Sequence, residues 1–235
     1  LLELGEGGMA KVFLARAAGP AGFAKLVVLK TLRRSSLTNE AARGMFLDEA
    51  RLSARLNHPN LVQVQALDLD AEPPYLVMEY LDGKPLAALR ESDALTQNMW
   101  FTIVSEVLTG LHHAHELRDF DGTPLEIVHR DIGPRNVFVT YDGSVKVLDF
   151  GIATTTNTRA HTQTGEIKGT LTYMAPEQLH GDGVDRRADV FSVGSLLWEV
   201  AVGKRMWEGL TEHALILRLA NGDIPRPSDH ASIDP

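Results

Sequence analysis

The sequence predicts an α+β chain of two lobes, β-rich first and α-rich second, with a cleft between them. Short β-prone runs fill most of the first eighty residues. From residue 96 onward apolar residues recur at helical spacing instead. Between the two regimes Asp82-Gly-Lys-Pro85 reads as a hinge or linker. The expected division is therefore 1–81 for the first lobe and 82–235 for the second, together forming one unit. A chain of 235 residues with 44% hydrophobic content has the material for a sizeable core.

Val12, Leu14, Val27 and Leu29 lie in short strand-like runs interrupted at Ala18-Gly-Pro-Ala-Gly22. Residues 39–57 read as a helix with Phe46, Glu49, Ala50 and Ser53 on one face. His58-Pro59 is expected to end it, because the residue before a proline is pushed out of the helical region. Leu61–Leu69 and Tyr75–Tyr80 read as two further strands. Residues 96–117 place Trp100, Ile103, Val104, Val107, Leu108, Leu111 and Ala114 on one helical stripe. Val137 and Val139, then Tyr141-Asp-Gly143, then Val145 and Val147 read as a tight hairpin. Residues 186–202 are helical again, with Val190, Val193, Leu197 and Val200 in register and Gly203 at the left-handed C-terminal position. A further helix is expected around Leu215–Leu219.

Composition excludes several function classes. Lys plus Arg number 23 against 31 Asp plus Glu, a formal net charge of −8. That argues against a general nucleic-acid binder and against a polybasic membrane-surface protein. The absence of cysteine removes disulfides, thiol catalysis and Cys-ligated metal sites together, and is compatible with a reducing compartment. The longest apolar stretches, such as Ser195–Val202, fall far short of a spanning helix. No basic-then-apolar leader opens the chain, and its first residue, Leu1, suggests a piece of something longer.

Several short motifs bear on chemistry. Gly5-Glu-Gly7-Gly8-Met-Ala10-Lys-Val12 is a glycine-rich turn. It suits close approach of backbone N–H groups to a phosphate chain and equally suits a plain hairpin loop. Lys30 ends an apolar strand and by itself reads as a surface lysine. Glu49, 19 residues on, sits on the apolar face of the following helix, where a carboxylate is costly without a cationic partner. A Lys30–Glu49 pair would satisfy both. His129-Arg-Asp131-Ile-Gly-Pro-Arg-Asn136 and Asp149-Phe-Gly151 flank the hairpin, offering one carboxylate for a substrate hydroxyl and two oxygen ligands for Mg²⁺. Gly169-Thr-Leu-Thr-Tyr-Met-Ala-Pro-Glu177 and Asp189-Val-Phe-Ser-Val-Gly194 follow.

Taken in this order and spacing, these motifs resemble a protein kinase of the eukaryotic-like serine/threonine type, above all its bacterial branch with a Gly-x-Gly-Gly-Met loop. The resemblance runs from Gly5 to about Gly222. It implies the bilobal kinase fold, with further C-lobe helices beyond Pro235, and transfer of the ATP γ-phosphate to Ser or Thr of protein substrates. In that reading Gly5, Gly7 and Gly8 cover the phosphates, with Ala10 where the third family glycine stands. Val12 and Val28 sandwich the adenine from above and Phe138 from below. Met78 is the gatekeeper, and Glu79 and Leu81 meet the adenine through backbone groups. Asp131 accepts the hydroxyl proton, Asn136 and Asp149 ligate Mg²⁺, Glu49 holds the Lys30 ammonium over the α- and β-phosphate oxygens, and Thr170 touches Asp131 and the substrate. Asp189 ties the catalytic loop to the long C-lobe helix. Thr162 and Thr164 are the expected phosphosites, with Arg130 as their phosphate partner, and a kinase-domain homodimer would serve trans-autophosphorylation.

One departure stands out. Where serine/threonine kinases usually carry a lysine two residues after the catalytic Asp, this chain has Gly133. Arg135, two residues further, is expected to replace that charge, as an arginine does there in tyrosine kinases. Relatives that prefer basic substrates often carry Glu where Arg135 lies, so no strong preference for arginine just upstream of the acceptor is expected. The competing readings are a pseudokinase or nucleotide-binding scaffold, disfavoured because Lys30, Asp131 and Asp149 are all present, and a small-molecule phosphotransferase, disfavoured by Ala175-Pro-Glu177. The resemblance also implies a cytoplasmic domain with no membrane segment within these residues. Arg118–Leu125 lengthens the usual connection to His129 and reads as a surface hairpin, and His112, His113 and His115 read as ordinary histidines near a helix C-terminus.

Overall fold

A computed structural model describes residues 1–7, 9–92, 95–150, 171–181 and 183–231. The first lobe is a five-stranded antiparallel sheet, β1 (Leu2–Glu6), β2 (Ala10–Ala18), β3 (Ala24–Leu32), β4 (Val64–Asp68) and β5 (Tyr75–Glu79), in the order β1-β2-β3-β5-β4. One helix, α1 (Glu40–Ser53), packs on it. Asn39 caps α1, its side chain accepting from Ala42 N at 3.1 Å, and Glu40 adds a favourable charge to the first turn. Ala42, Phe46, Glu49, Ala50 and Ser53 form the buried face. Phe46 and Ala50 meet Leu32, Leu76 and Met78 in the small core.

The helix stops four residues short of the expected end at 57. Arg55 N bonds Leu52 O and Leu56 N bonds Ser53 O, so the last turn tightens to i→i+3 before the proline acts. Leu56, only 3% exposed, is drawn into the core of the other lobe, as is Leu61. That explains why the strand expected from Leu61 begins only at Val64. In the connecting turn His58 Nδ1 accepts from Asn60 N at 3.1 Å, and the ring stacks on His113. Burial and the nearby His113 and Lys146 charges hold the His58 pKa below the ordinary value. The unfolded chain therefore binds this proton more readily than the folded one. The His58 contribution is complete above about pH 6.5 and is lost as the pH falls through its lower folded pKa. A histidine NMR titration should place the His58 midpoint below about 6.5, and a midpoint at or above that value would contradict the assignment.

Gly83–Pro85 is not the linker that the sequence suggested. It is strand β6, paired with β7 (Val137–Thr140), which in turn pairs with β8 (Val145–Val147). Gly83 permits this, because a Cβ there would stand 2.2 Å from Val139 O. The segment without regular structure between the lobes is 80–82. The second lobe adds α2 (Leu86–Glu91), α3 (Gln97–His115), α4 (Pro176–His180), α5 (Arg187–Val202) and α6 (Glu212–Ala220). Its main core joins Ile103, Val104, Val107 and Leu111 of α3 to Val137, Val145 and Val147 of the hairpin and Val193 and Leu196 of α5.

Two helical stripes are found mostly as expected, with Ile103, Val104, Val107, Leu111, Ala114 and Val193 buried, but each departs at one position. Leu108 is 40% exposed, and Gly110 faces inward, where a Cβ would crowd Leu61 and Asn60. Val190 is 56% exposed, while Asp189, Ser192, Ser195 and Glu199 are buried. In both cases small or polar residues occupy the inward face, where hydrophobic periodicity gives them no weight. Gly203 closes α5 with φ +75, as expected.

Candidate active site

The cleft is furnished from both lobes. Lys30 stands near the end of β3, opposite Val12 on β2 and Leu76 on β5. Its Nζ donates to Glu49 Oε1 at 2.5 Å and to Asp149 Oδ1 at 2.9 Å. Lys30 is 8% exposed and Glu49 9%. Burial works against the ammonium, but the Asp149 and Glu49 carboxylates outweigh it and hold the Lys30 pKa well above the ordinary lysine value. The two carboxylates share one cation unequally. Burial raises the Glu49 pKa despite Lys30, whereas for the more open Asp149 the Lys30 charge and hydrogen bond overcome desolvation and lower it.

Residues 129–136 form a loop held from below. His129 is fully buried; its Nε2 donates to Leu148 O at 2.8 Å, and its Nδ1 accepts from Asp131 N at 3.2 Å. The proton therefore sits on Nε2. Asp189, also fully buried on α5, accepts from His129 N at 2.9 Å, Arg130 N at 2.8 Å and His115 Nε2 at 2.7 Å. The Arg130 backbone lies in the left-handed region, φ +67. That conformation is costly for a side chain with a Cβ and is fixed here by the Asp189 bond on one side and Gln178 Nε2 donating to Arg130 O on the other. Asn136 Nδ2 donates to Asp131 O and to Asp131 Oδ2, at 2.8 and 2.9 Å. Asp149 has φ +43, and the next ring, Phe150, is buried against His129 with centroids 4.8 Å apart.

Other expected site residues fall around this centre. Met78 is buried in the first-lobe core. The Glu79 carboxylate accepts from Lys146 Nζ and Gln63 N, both at 2.8 Å, and Leu81 lies in the inter-lobe segment. Val12, Val28 and Phe138 are half-buried. Gly5 and Gly7 border the β1–β2 turn, and a Cβ at Gly5 would meet nothing within 4 Å. Arg33 steadies the turn through Glu6 at 2.5 Å and Gly7 O at 3.3 Å. Arg130 Nε is buried with no hydrogen-bond partner among the described residues. Gly8, Thr162, Thr164 and Thr170 lie outside the described residues.

A groove of about 810 Å³ opens beside Asp131, Gly133 and Arg135 and is walled by Arg90, Tyr173 and Trp207. A Cβ on Gly133 would stand 3.2 Å from the Tyr173 ring. The Tyr173 hydroxyl donates to Glu199 Oε2 at 3.0 Å and accepts from Arg90 Nη1 at 2.5 Å, and Arg90 also reaches Glu199 at 2.6 Å. The sequence reading passed over this Arg90–Tyr173–Glu199 cluster. Its signal is Glu199 within the apolar run Leu196-Leu-Trp-Glu-Val-Ala-Val202, the same cue that singles out Glu49.

Asn136 has its amide nitrogen committed to Asp131, which leaves its oxygen as the donor atom. Asp149 uses Oδ1 for Lys30, which leaves Oδ2. Two hard oxygen donors of this kind fit a small divalent cation that shares its remaining positions with phosphate and water. Among the described residues no group of three or more His, Cys, Asp or Glu side chains is arranged to hold a metal unaided.

Comparison with known proteins agrees with this geometry. The family model described as "Protein kinase domain" matches residues 1–226. Over 232 residues the chain is 42% identical to tyrosine-protein kinase MasK of Myxococcus xanthus, covering 97% of this chain and 36% of that protein. It is 36% identical over 237 residues to serine/threonine-protein kinase PknB of Mycobacterium leprae (98% and 36% covered) and 30% identical over 226 residues to serine/threonine-protein kinase PrkC of Bacillus subtilis (96% and 33%). The chain thus spans about a third of the length of the curated relatives it matches. With its mixed sheet-and-helix lobes, its paired Lys30 and Glu49 and its Asp131–Asn136 loop, the chain belongs to the protein kinase domain family.

Proposed function

We propose that this chain transfers the γ-phosphoryl group of ATP to Ser or Thr hydroxyls of protein substrates. The observation that carries the reading is Lys30 bridging Glu49 and Asp149 across the cleft from an Asp131 braced by Asn136. Lys30, oriented by Glu49, holds the α- and β-phosphates, which Gly5, Gly7 and Gly8 of the glycine-rich segment would cover. Val12, Val28 and Phe138 enclose the adenine, which reads the backbone of Glu79 and Leu81 beside Met78. Asp131 accepts the proton of the substrate hydroxyl as its oxygen bonds to the γ-phosphorus. The bond from that phosphorus to the β,γ-bridging oxygen breaks, and ADP leaves. Mg²⁺ held by Asn136 and Asp149 would neutralise phosphate charge during this step. Arg135 supplies the cation missing at Gly133, and Thr170 steadies Asp131. Autophosphorylation of the Thr162 or Thr164 hydroxyl, in trans within a transient homodimer, gives a phosphothreonine that pairs with the Arg130 guanidinium. The pseudokinase reading finds no support in the residues present or in the relatives.

A second reading, a tyrosine acceptor, is favoured by one specific pairing of facts. The 42%-identical relative is named a tyrosine-protein kinase. This chain also has Gly133 and Arg135, leaving the groove floor beside Asp131 without a side chain between loop and Tyr173. The relatives named serine/threonine kinases weigh the other way. Incubating the purified chain with Mg-ATP and degenerate peptides, and mapping phosphate by mass spectrometry, separates the two. Phosphoserine and phosphothreonine support the first reading; phosphotyrosine alone replaces it with the second. Arg135→Ala is expected to reduce turnover several-fold, and unchanged turnover would remove Arg135 from the mechanism.

A further inference from the structure

The connection that follows α3 carries a feature that the catalytic reading does not use. Residues 117–125 form a self-contained hairpin. Leu125 N bonds Leu117 O at 3.0 Å, Asp119 N bonds Thr123 O at 2.7 Å, and Gly122 N bonds Asp119 O at 2.9 Å, with Gly122 at φ +87. Arg118 Nη1 returns to Gly122 O at 2.9 Å. This hydrogen-bonded loop belongs to the larger lobe, yet it converges on one residue just past the end of α1. Arg55 Nη2 donates to Arg118 O at 3.2 Å and lies 3.1 Å from Asp119 Oδ1, and its guanidinium sits 4.9 Å from the Phe120 ring centroid. Phe120 is otherwise in water, 98% exposed, with no place in any core cluster. An aromatic left in solvent beside a single arginine is hard to explain by packing.

Arg55 lies six residues past Glu49, at the tightened turn that ends α1, and Leu56 beyond it is already buried in the larger lobe. The helix that bears Glu49 is thus gripped at its C-terminal end by the lobe that bears Asp131 and Asp149. We propose that the 117–125 hairpin is a latch on α1, and that Arg55 is a positioning residue that holds Glu49 in register with Lys30. The consequence for turnover rests on the reading of Lys30 as the phosphate-binding lysine; the latch itself does not.

The Arg55–Asp119 pair is partly exposed, at 29% and 43% of the side chains, so each contact alone is weak. The hydrogen bond, ion pair and ring together are expected to make about a three- to tenfold difference. The test compares wild type with Arg55→Ala, Asp119→Ala, the double variant and Arg55→Lys, well below the unfolding midpoint. Hydrogen exchange in residues 47–53 should quicken about three- to tenfold in Arg55→Ala while α3 and α5 exchange as in wild type. Turnover should fall by a similar factor with the peptide KM unchanged, because the peptide groove lies in the other lobe. The double variant should be no worse than Arg55→Ala, and Arg55→Lys should recover part of the loss. Exchange in 47–53 that stays within about twofold of wild type, or that rises equally in α3 and α5, would overturn the latch. A wild type without phosphotransfer would instead sink the proposed function, and the exchange data would still decide the latch.

Discussion

Asp131→Asn is expected to lower turnover by about 10²- to 10⁴-fold while leaving the fold and nucleotide binding unchanged, the range that a positioned general base contributes. The replacement is nearly isosteric. Its side-chain oxygen can still accept from Asn136 Nδ2, which reaches Asp131 at both the backbone oxygen and Oδ2. Asp131 N keeps its bond to His129 Nδ1. What is lost is the charge and basicity at the atom that takes the hydroxyl proton. Lys30, Glu49 and Asp149 are untouched, so binding of a nucleotide analogue should match wild type. The measurement is a single-turnover rate with Mg-ATP and a peptide acceptor, beside a thermal melt of both proteins. A rate within about tenfold of wild type, with the melts superimposed, would show that Asp131 is not the base.

The local cues for this site were unusually direct. Glu49 was conspicuous because a carboxylate on an apolar helix face is costly alone. That same cost led to its partner, and the pair is present at 2.5 Å. The hairpin of β7 and β8 was readable from alternation around Asp-Gly. What was not readable shares one physical cause. Hydrophobic periodicity weighs each residue by its own polarity, whereas burial depends on what the residue can be paired with. Asp189, Ser192 and Glu199 are inward because backbone N–H groups, a backbone carbonyl and Arg90 await them across the core. None of these partners is close in sequence. Gly83 and Gly110 are inward because a neighbouring segment passes too near for a Cβ, which again is a fact of the assembled fold. The second partner of Lys30 is of this kind: Asp149 is 119 residues away, and its contact requires the two lobes to come together.

Asp189→Asn is expected to be the most damaging single change outside the cleft, and its effect should reach the chemistry. The carboxylate is fully buried and accepts three bonds on two oxygens, His129 N and His115 Nε2 on Oδ2 and Arg130 N on Oδ1. An amide offers one accepting oxygen. Whichever way it is turned, its NH₂ faces at least one donor, leaving a buried N–H unsatisfied and two donors opposed. Each such buried group costs about 1–3 kcal/mol, and the lost charge-assisted character of the remaining bonds adds to that. A total of about 2–4 kcal/mol lowers the melting temperature of a chain this size by roughly 5–15 °C. The turn that carries Asp131 is also affected, because the bond from Arg130 N is one of the two that hold that residue at φ +67. Without it the strained conformation loses its compensation and relaxes. Turnover measured well below the new melting temperature should therefore still be reduced, by about tenfold for each 1.4 kcal/mol by which the productive loop conformer is disfavoured. The two readouts distinguish the roles. A lowered melting temperature with full turnover in the cold would make Asp189 a structural tie only. A reduced rate that persists in the cold is the expected result, with Asp189 acting on the reaction through the backbone of Arg130.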